Sequence, residues 1–565
     1  MNDPSQPELE PYQGRWVALA GAQVAGVGDT AEAALQQGRR NRPRERLALQ
    51  FVEDETSPLL PLSPLMDRLR PILQRFDAPV YLVGGALRDA LLGLPNKDLD
   101  FAVPEGGIRL AFQVGDALGK PAFPLDKTRD TGRVMLDSYN AIDFARFRGD
   151  TLEEDLIGRD FTINAMALPA AARRRDSLID PLAGQADLAA GVIRLAHPDA
   201  LKTDPVRTLR AVRQGTQLGL RLLPETESAI REAALALADS SLERIRDELN
   251  LILVSPAIAQ SMEWLLDMGL MQHTLPEIAA LETVAQTEPH HQPVLAHTIR
   301  VLGWLSRLEA LLFQSDLDDQ LTAFPGYMQE TPANIADALA PFTERLKEHL
   351  DRPVSGALSG WHLLRWGGLW HDAGKRETAE TTSSGKIQFH GHDKVGAALA
   401  ESRMRQLRLS SEAADHIGRI VGGHMRPLFL ALDSARPGQG ALSRRAIYRF
   451  FKDCGSAGLD ICLLTLADHL ATYDDGGPSR WQNGEQAGRQ LLAVVLRLFR
   501  TYFEDYQAQI SPEPLLDGSQ LMQALGLAPG PEIGRLLDLI QEAQAAGEVA
   551  TADEALALAR GSMKT

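Results

Sequence analysis

The hydrophobic pattern of this chain changes near residue 186, and that change limits the folds it can adopt. Residues 65–185 alternate short apolar runs typical of strands (VYLVG, LDFAV, RVMLD, AIDFARF) with helical stretches such as PLMDRLRPILQRF. From 186 to about 505 helical periodicity dominates, as in ETESAIREAALALA and ERIRDELNLIL. The pattern predicts an α+β fold in which a small-sheet domain is followed by a long, mainly helical part.

The length predicts several domains, because 565 residues exceed the usual size of one core. The proline-rich stretch SPLLPLSP separates a small N-terminal α+β appendage from the small-sheet domain. An acidic stretch broken by Pro and Gly, near 313–358, is predicted to be an insertion or mobile lid. The predicted domains are 1–56 (appendage), 57–64 (linker), 65–185 (head), 186–275 (all-α neck and body), 276–505 (second all-α domain) and 506–565 (helical tail).

The net charge limits the kinds of binding partner, and the cysteine content indicates the redox state of the compartment. With 58 basic and 75 acidic side chains the formal charge is −17, which excludes a generally basic nucleic-acid binder but allows a local basic cleft. The two cysteines, Cys454 and Cys462, form no CxxC pair, so a reducing compartment is expected. The start lacks a basic-then-apolar signal pattern, and the apolar runs are too short to cross a bilayer. We therefore expect a cytoplasmic protein with no membrane or DNA partner.

A strand that runs into two glycines and then a helix, VYLVGGALRDALLG, is typical of a phosphate-binding turn. Gly84 and Gly85 would expose backbone N–H groups beside the helix N-terminus. In NKDLDFAV, Asp98 and Asp100 alternate on a strand and point to one face. Adjacent carboxylates repel unless divalent cations lie between them, as in two-metal phosphoryl transfer, and Asp143 is a candidate third carboxylate. Taken singly, these residues fit a tight turn and a solvated strand end, but their order favours a phosphoryl-transfer site.

These motifs resemble those of the bacterial class II tRNA nucleotidyltransferases and poly(A) polymerases, whose head carries GGxxRD followed by DxD. TLEEDLIGRDFTINAMAL at 151–168 is similar to the family's LEEDLxRRDFTxNA segment. KTDPVRTLRAVR at 202–213 resembles the segment that reads the incoming base, and ERIRDELNLIL at 243–253 resembles the neck-helix motif. The resemblance, from about 65 to 275, implies a polymerase-β-like nucleotidyltransferase head with a helical neck and body.

The resemblance also implies roles for individual residues. Asp98 and Asp100 would bind catalytic Mg²⁺ while the RNA 3′ hydroxyl attacks the α-phosphate of CTP or ATP. Asp204 and Arg207 would present hydrogen-bonding groups to the base in place of a template strand. Asp204, followed by Pro205, is also well suited to cap a helix. The residues expected to bind the nucleotide are Gly84, Gly85, Arg88, Arg159, Asp160, Asn164, Asp204, Arg207 and Arg210.

Three departures from the family pattern bear on specificity. Thr203 stands where the EDxxR motif has glutamate, which predicts altered base discrimination, and Gly158 replaces the first arginine of RRD, which predicts a weaker phosphate contact. Only Gly149 and Asp150 separate Arg148 from TLEEDL, whereas members that build a whole CCA end have a longer flexible loop there. The resemblance implies template-independent addition of C and/or A to the tRNA 3′ end, either as synthesis or repair of the CCA end or, because shortening accompanies partial addition in the family, as addition of CC alone. The expected partners are the tRNA 3′ end and CTP and/or ATP, and a poly(A) polymerase is the alternative within the class.

A second group of metal-binding residue types lies in the helical part, in the order His, His-Asp, His, His, Asp. An adjacent His-Asp pair within an apolar run, GLWHDAGK, is costly to bury unless its side chains pair or coordinate an ion. The series resembles the HD phosphohydrolase superfamily, which implies Mn²⁺, Ni²⁺, Fe²⁺ or Mg²⁺ and hydrolysis of a phosphate ester. Hydrolysis as the main activity, and a metal-stabilised RNA-binding body without activity, are the alternatives. The implied ligands are His297, His371, Asp372 and Asp468 for a first metal and His392 and His424 for a second, with His390 as a weaker candidate.

The tail contains LMQALGLAPGPEIGRLLDLIQEAQ, which predicts two helices joined by a Gly- and Pro-rich turn. It resembles the tail found in many enzymes of this family, which implies contact with an RNA phosphate. A packed helical pair without an RNA-binding role fits the pattern equally well.

Overall fold

The structure is a computed structural model. It describes residues 9–563 except 29–30, 46, 53–56, 96–97, 138–139, 314–320, 322–323, 357, 437–441 and 475–476, and the side chains of residues 10 and 32. Two compact units form, Met1–Ala236 and Leu237–Thr565, while the finer domain boundaries stay predictions. Part of the predicted insertion near 313–358 lies outside the described residues, and the described remainder is mostly helical. No helix in the described ranges is long and apolar enough to cross a membrane.

The N-terminal appendage is a three-stranded antiparallel sheet in the order β2-β1-β3 with one helix packed on it. Its central strand is fully buried, and the Trp16 ring lies 5.9 Å from the Tyr81 ring of the head. The appendage therefore covers part of one face of the head sheet. Its elements are β1 (Trp16–Ala20), β2 (Gln23–Gly28), α1 (Ala31–Asn41) and β3 (Leu47–Phe51).

The head is built on a six-stranded mixed sheet in the order β6-β7-β8-β5-β4-β9. Only β5 and β8 pair in parallel, and this register sets Asp100 directly opposite Asp143. Phe101 and Phe144 stack at 5.0 Å on the other face, where they join the main apolar core of the head. The elements are α2 (Leu65–Leu73), β4 (Tyr81–Val83), α3 (Gly85–Leu91), β5 (Leu99–Val103), α4 (Gly107–Leu118), β6 (Ala122–Asp126), β7 (Thr131–Met135), β8 (Ala141–Arg146), α5 (Leu152–Ile157) and β9 (Ala167–Pro169).

The remainder of the first unit is helical apart from one short parallel strand pair. The elements are α6 (Gly184–Ala189), β10 (Val192–Ile193), α7 (Ala200–Thr203), α8 (Arg207–Leu218), β11 (Arg221–Leu222) and α9 (Pro224–Ala233). Helix α8 is strongly amphipathic and buries Leu209, Ala211 and Val212 on one side.

The second unit is predominantly helical, as the periodicity of the sequence predicts, with two short antiparallel strand pairs that are too brief for a sequence pattern to reveal. Its first part contains α10 (Leu242–Leu253), α11 (Ile258–Asp267), α12 (Met271–Thr274), α13 (Pro276–Ala279), α14 (Val294–Phe313), α15 (Glu330–Leu339), α16 (Thr343–Asp351), β12 (Pro353–Ser355), β13 (Leu358–Ser359), α17 (Gly360–Trp370), β14 (Ala379–Thr381) and β15 (Ile387–Phe389). Its second part contains α18 (His392–Gln406), α19 (Ser411–Gly423), α20 (Arg426–Ser434), α21 (Arg444–Cys454), α22 (Ala457–Tyr473), α23 (Gly477–Glu504), α24 (Tyr506–Gln509), α25 (Gly518–Leu525), α26 (Pro531–Ala546) and α27 (Ala552–Ser562).

Candidate active site and candidate metal centre

The turn after β4 brings the first predicted residues together. Gly84 has φ +78° and ψ −147°, a conformation that favours glycine, and α3 begins at the next residue. A Cβ atom on Gly84 would lie 3.4 Å from Arg159 Nη1 and 3.5 Å from Asp100 Oδ2. The Gly84 turn, the Arg159 guanidinium and the Asp100 carboxylate thus lie within a few ångströms of one another. This arrangement suits a triphosphate with a bound metal ion.

The predicted carboxylates lie on adjacent strands. Asp98 immediately precedes β5, Asp100 lies within it, and Asp143 faces Asp100 from β8. Although the Asp100 side chain reaches solvent, the surrounding protein displaces part of its hydration, and this effect together with the charge of Asp143 raises its pKa to about 6. A divalent cation would offset this repulsion, and carboxylate oxygens are the ligands that Mg²⁺ prefers. Asp98 and Asp100 therefore fit a divalent-ion site.

Arg133 is a site residue that the sequence did not reveal. Its Nε and Nη2 atoms donate to the two carboxylate oxygens of Asp143, both at 2.7 Å. The two residues are directly opposite each other in the β7–β8 register, which a sequence pattern does not specify. Arg133 balances the negative charge of Asp143.

Arg159 is held by an acidic partner from α5. Asp155, only 2% exposed, accepts hydrogen bonds from Arg159 Nε (3.2 Å) and Nη2 (2.8 Å), and its other oxygen accepts one from the Arg148 backbone N–H (3.1 Å). Burial opposes ionisation of Asp155, but the nearby Arg159 and Arg148 outweigh it and lower its pKa. Asp155, the last acidic residue of LEEDL, therefore orients Arg159, which is expected to bind a phosphate of the nucleotide.

Replacing Asp155 by alanine should release Arg159 and reduce kcat/KM for the nucleotide by about 10- to 100-fold. Hydrogen bonds to charged groups contribute about 1.5–3 kcal/mol, and about 1.4 kcal/mol corresponds to a factor of ten. Steady-state kinetics with labelled nucleotide would measure the loss. Glu153→Ala, an exposed acidic residue on the same helix, is the matched control. An Asp155→Ala variant as active as the control would contradict the role of this pair.

A buried polar network joins the other predicted nucleotide-binding residues. Arg88 Nη1 donates to Asn164 Oδ1 (2.8 Å), and Asn164 Nδ2 donates to Asp160 Oδ1 (3.0 Å). Asp160 Oδ2 accepts a hydrogen bond from Arg210 Nη1 (3.0 Å). Burial would raise the pKa of Asp160, but Arg210 and the hydrogen bonds to its carboxylate lower it to about 2. Asp160 is therefore ionised at neutral pH, with its charge balanced by Arg210.

The predicted base-reading residues have structural partners. Arg207 Nη1 donates to the backbone oxygens of Arg159 (3.1 Å) and Ala200 (3.2 Å), and Nη2 donates to that of Gly158 (3.1 Å). The Arg207 Nε atom lies 3.6 Å from Asp204 Oδ2. Arg207 thus ties the start of α8 to the head motif at 158–159.

Asp204 does not occupy the N-cap position of α8, although its backbone oxygen accepts a hydrogen bond from the Arg207 N–H at 3.1 Å. Asp204 lies directly after the last residue of α7, and α8 begins only at Arg207, with Val206 in the N-cap position and no side-chain cap hydrogen bond. The Thr208 N–H and hydroxyl both bond to the Pro205 oxygen, so the residues after Asp204 form a turn before the helix starts.

The connection between β8 and α5 is short and held by hydrogen bonds. Thr151 and Glu154 form a capping box, in which the Glu154 backbone N–H donates to Thr151 Oγ1 (3.2 Å). Glu154 Oε2 also accepts the Asp150 N–H (2.6 Å). Gly149 is required here, because a Cβ atom would lie 2.5 Å from Glu154 Cβ. Two residues, Gly149 and Asp150, thus separate Arg148 from Thr151, and hydrogen bonds to Glu154 and Asp155 hold this connection.

The six predicted residues of the helical part converge within the second unit. His297 Nε2 lies 2.8 Å from Asp468 Oδ1, and together with His371 they form one group whose ligand atoms lie within 4.8 Å of one another. Asp372, His392 and His424 form a second such group. The two groups meet at the adjacent pair His371 and Asp372, where His371 Nε2 lies 3.2 Å from Asp372 Oδ2. We call these six residues the His-Asp centre.

Hydrogen bonding sets the tautomers of three histidines. His371, His392 and His424 each contact a backbone carbonyl oxygen through Nδ1, at 2.8, 2.8 and 2.7 Å. A carbonyl can only accept, so Nδ1 carries a proton, and in the neutral form of each ring Nε2 then has a lone pair that a metal ion can use. The Nε2 atoms of His392 and His424 lie 3.3 Å apart. The buried Nε2 of His371 lies beside the Asp372 carboxylate; burial opposes protonation of His371, but Asp372 outweighs it and raises the His371 pKa.

The Nε2 lone pairs of these histidines indicate whether the His-Asp centre suits a metal ion. Two facing lone pairs repel unless a cation or proton lies between them, and neutral imidazole with carboxylate suits divalent transition metals. Burial and the neighbouring His371 lower the pKa of His424 to about 4, so this imidazole is neutral at pH 7. The six residues therefore fit a metal site.

Two further residues support the centre. Lys375 Nζ donates to Asp372 Oδ2 and to Gln286 Oε1, both at 2.7 Å. Gly374 allows the loop to approach α18, because a Cβ atom there would lie 2.2 Å from the His392 oxygen. His390, the weaker candidate, is exposed and contacts Gln388 Oε1 at 3.1 Å.

Comparison with known proteins identifies the family. Residues 80–194 match the family model described as "Poly A polymerase head domain", and residues 219–281 match "Probable RNA and SrmB- binding site of polymerase A". The A-adding tRNA nucleotidyltransferase of Deinococcus radiodurans is 35% identical over 501 residues, covering 87% of this chain and 97% of that protein. This chain belongs to the tRNA nucleotidyltransferase family.

Other relatives agree with this assignment. The CC-adding tRNA nucleotidyltransferase of Thermus thermophilus is 31% identical over 500 residues, covering 86% of this chain and 95% of that protein. A solved structure of a CCA-adding enzyme in an apo form has the same fold, with a TM-score of 0.53 at 19% identity, covering 89% of this chain and 94% of that one. The predicted fold class, with its nucleotidyltransferase head and helical remainder, is confirmed.

As a member of the tRNA nucleotidyltransferase family, the chain is a transferase, as its motifs predict. Enzymes of this family depend on a divalent metal ion. The predicted head residues lie together in the first unit, and the His-Asp centre lies within the second. The individual roles, the identity of the ions and the assignment to the HD superfamily stay predictions.

Proposed function

We propose that this tRNA nucleotidyltransferase builds part of the tRNA 3′ end, adding two cytidines and not the terminal adenosine. The short, hydrogen-bonded connection from Arg148 to Thr151 carries this proposal, because a longer flexible connection accompanies complete CCA synthesis in the family. The CC-adding relative from Thermus thermophilus supports it.

In the proposed reaction the Gly84–Gly85 turn and Arg88 hold the triphosphate, and Arg159, oriented by Asp155, adds a second positive charge. Asp98 and Asp100 would hold Mg²⁺, which lowers the charge of the α-phosphate and stabilises the attacking and leaving oxygens. The tRNA 3′ oxygen forms the new bond to the α-phosphorus, and pyrophosphate leaves. Asp204 and Arg207 limit which base fits, and Arg210 with Asp160 keeps α8 against the head.

Addition of adenosine alone is the second candidate. The observation in its favour is the A-adding relative from Deinococcus radiodurans, which is 35% identical over 501 residues. Thr203, where the family motif has glutamate, is compatible with a change in base preference.

The test is incubation with Mg²⁺ and tRNA transcripts that end at the discriminator base, at C or at CC, each with labelled CTP or ATP. We expect two cytidines on the first transcript, one on the second and none on the third, with no adenosine on any. Adenosine on the CC end alone would support the second candidate, and a full CCA end would contradict the argument from the short connection. Long adenosine tails would indicate a poly(A) polymerase, and no incorporation would assign the main activity to the His-Asp centre.

We further propose that the His-Asp centre holds one or two divalent ions, of which Mn²⁺, Ni²⁺, Fe²⁺ and Mg²⁺ are candidates, and hydrolyses a phosphate ester of a nucleotide or RNA end. The inward lone pairs of His371, His392 and His424 support the metal, and a bound ion would make water nucleophilic near neutral pH. A cytoplasmic location is part of the proposal, since both cysteines are buried free thiols.

A further inference from the structure

Gln214 is a buried polar residue of α8 to which the roles above assign no function. Its side chain is only 5% exposed, and its Oε1 atom accepts a hydrogen bond from Asn164 Nδ2 at 2.9 Å. An amide buried away from water destabilises the fold unless its hydrogen bonds are made, so this contact fixes both side chains. The two residues are 50 positions apart in the sequence and meet only in the folded protein.

The Arg88 guanidinium, which can only donate hydrogen bonds, determines the orientation of the Asn164 and Gln214 side-chain amides. A guanidinium has only donors, so the Asn164 atom 2.8 Å from Arg88 Nη1 is the amide oxygen. The Asn164 nitrogen then faces Asp160 and Gln214, and Gln214 must present its own oxygen to it. Arg88, Asn164 and Gln214 thus form a chain of hydrogen bonds with one consistent direction of donation.

Gln214 shares one face of α8 with two residues already described. Arg207, Arg210 and Gln214 are spaced at i, i+3 and i+7 on the helix, and each contacts the head segment 158–164. Arg207 reaches backbone oxygens and Arg210 reaches Asp160. Gln214 reaches Asn164, whose oxygen accepts the Arg88 hydrogen bond.

We propose that Gln214 is a positioning residue for the incoming nucleotide. By holding the Asn164 amide, it fixes the acceptor of Arg88 Nη1, while Asp89 Oδ1 accepts hydrogen bonds from Arg88 Nε (2.8 Å) and Nη2 (2.7 Å). The two acceptors together orient the guanidinium against the Gly85 turn, where a Cβ atom would be 3.2 Å from Arg88 Nη2. It also links Arg88 to α8, the helix that starts with Arg207, so triphosphate binding and base choice are coupled through this side chain. The inference rests on the proposed role of Arg88 in holding the triphosphate.

The first test is Gln214→Met, which keeps the length of the side chain and removes the acceptor oxygen. We expect the KM for the nucleotide to rise about tenfold, kcat to change less than about threefold, the KM for tRNA to stay unchanged, and the preference between CTP and ATP to narrow. Gln217→Met, an exposed position on the same helix, is the matched control. A Gln214→Met variant that melts like the control and keeps the wild-type nucleotide KM and base preference would overturn the inference.

A double-mutant cycle separates this inference from the proposed function. Arg88→Lys and Gln214→Met should together reduce kcat/KM for the nucleotide by less than the product of their separate effects, because Gln214 acts through Arg88. Fully multiplicative effects would overturn the inference alone. If Arg88→Lys left the nucleotide KM unchanged, the triphosphate role of Arg88 would fail, and the inference with it. If Gln214→Met does not fold, Gln214→Leu, which also removes the acceptor oxygen, takes its place. The same tenfold rise in the nucleotide KM is then expected, and a KM within about threefold of wild type would overturn the inference.

Discussion

Replacement of Asp98 and Asp100 by alanine is expected to reduce nucleotide incorporation by at least about 10³-fold. The two carboxylates lie at the start of β5, beside the Gly84 turn and opposite Asp143, where we propose that the catalytic ion binds. Metal ions contribute several kcal/mol to stabilising the transition state of phosphoryl transfer. A loss of about 4 kcal/mol corresponds to about 10³-fold in rate.

Single-turnover incorporation of labelled nucleotide into tRNA would measure this loss. Asp116→Ala, which removes an exposed carboxylate from α4 of the same head, is the matched control and should leave the rate within about twofold. The midpoint of thermal unfolding of the double variant should equal or exceed that of the wild type, because removing Asp100 relieves both the partial loss of hydration and the repulsion by Asp143 that raise its pKa. Residual incorporation above about a tenth of the wild-type rate would contradict the assignment of these carboxylates.

Replacement of His371 by alanine is expected to lower the affinity of the His-Asp centre for Mn²⁺ by about 100-fold or more. Its Nε2 atom is buried and lies between the two groups of ligands, 3.2 Å from Asp372 Oδ2, where a metal ion would contact it. Changes to residues that only orient metal ligands cost about 10- to 100-fold in affinity, and loss of a ligand costs at least as much. Hydrolysis of a phosphodiester by this centre should be lost with the metal.

Metal content by mass spectrometry and thermal unfolding against Mn²⁺ concentration would test this prediction. At a concentration 100 times its dissociation constant, a metal that binds only the folded state stabilises the wild type by about 2.7 kcal/mol, and the variant should show no such gain. His390→Ala, an exposed histidine two positions from His392, is the control and should bind like the wild type. Nucleotide incorporation should persist in His371→Ala, because every head residue assigned to it belongs to residues 1–236. Undiminished Mn²⁺ binding by His371→Ala would refute the metal assignment.

The local elements of the head were predictable because their signals are local. The strands that carry Asp100 and Asp143 follow from apolar runs of strand length, and the turn at Gly84 follows from two glycines between a strand and a helix. Helix α4 was not predicted. The backbone N–H groups of Gly106, Gly107 and Ile108, at and just before its start, bond to the carboxylate of Asp130, more than twenty residues later. The start of the helix is therefore defined by a tertiary contact in place of a local cap.

The sequence by itself determined the family and the order of the two sites, and it predicted their motif residues, because residues at fixed spacing report the chemistry of a site directly. Arg133, Asp155 and Lys375 were found only in the structure. The tertiary structure decided which atoms those residues face. The bonds of Arg133 to Asp143, of Asp155 to Arg159 and of Gln214 to Asn164 depend on strand register and helix packing. The inward direction of the His371, His392 and His424 lone pairs depends on backbone carbonyls that no side-chain pattern encodes.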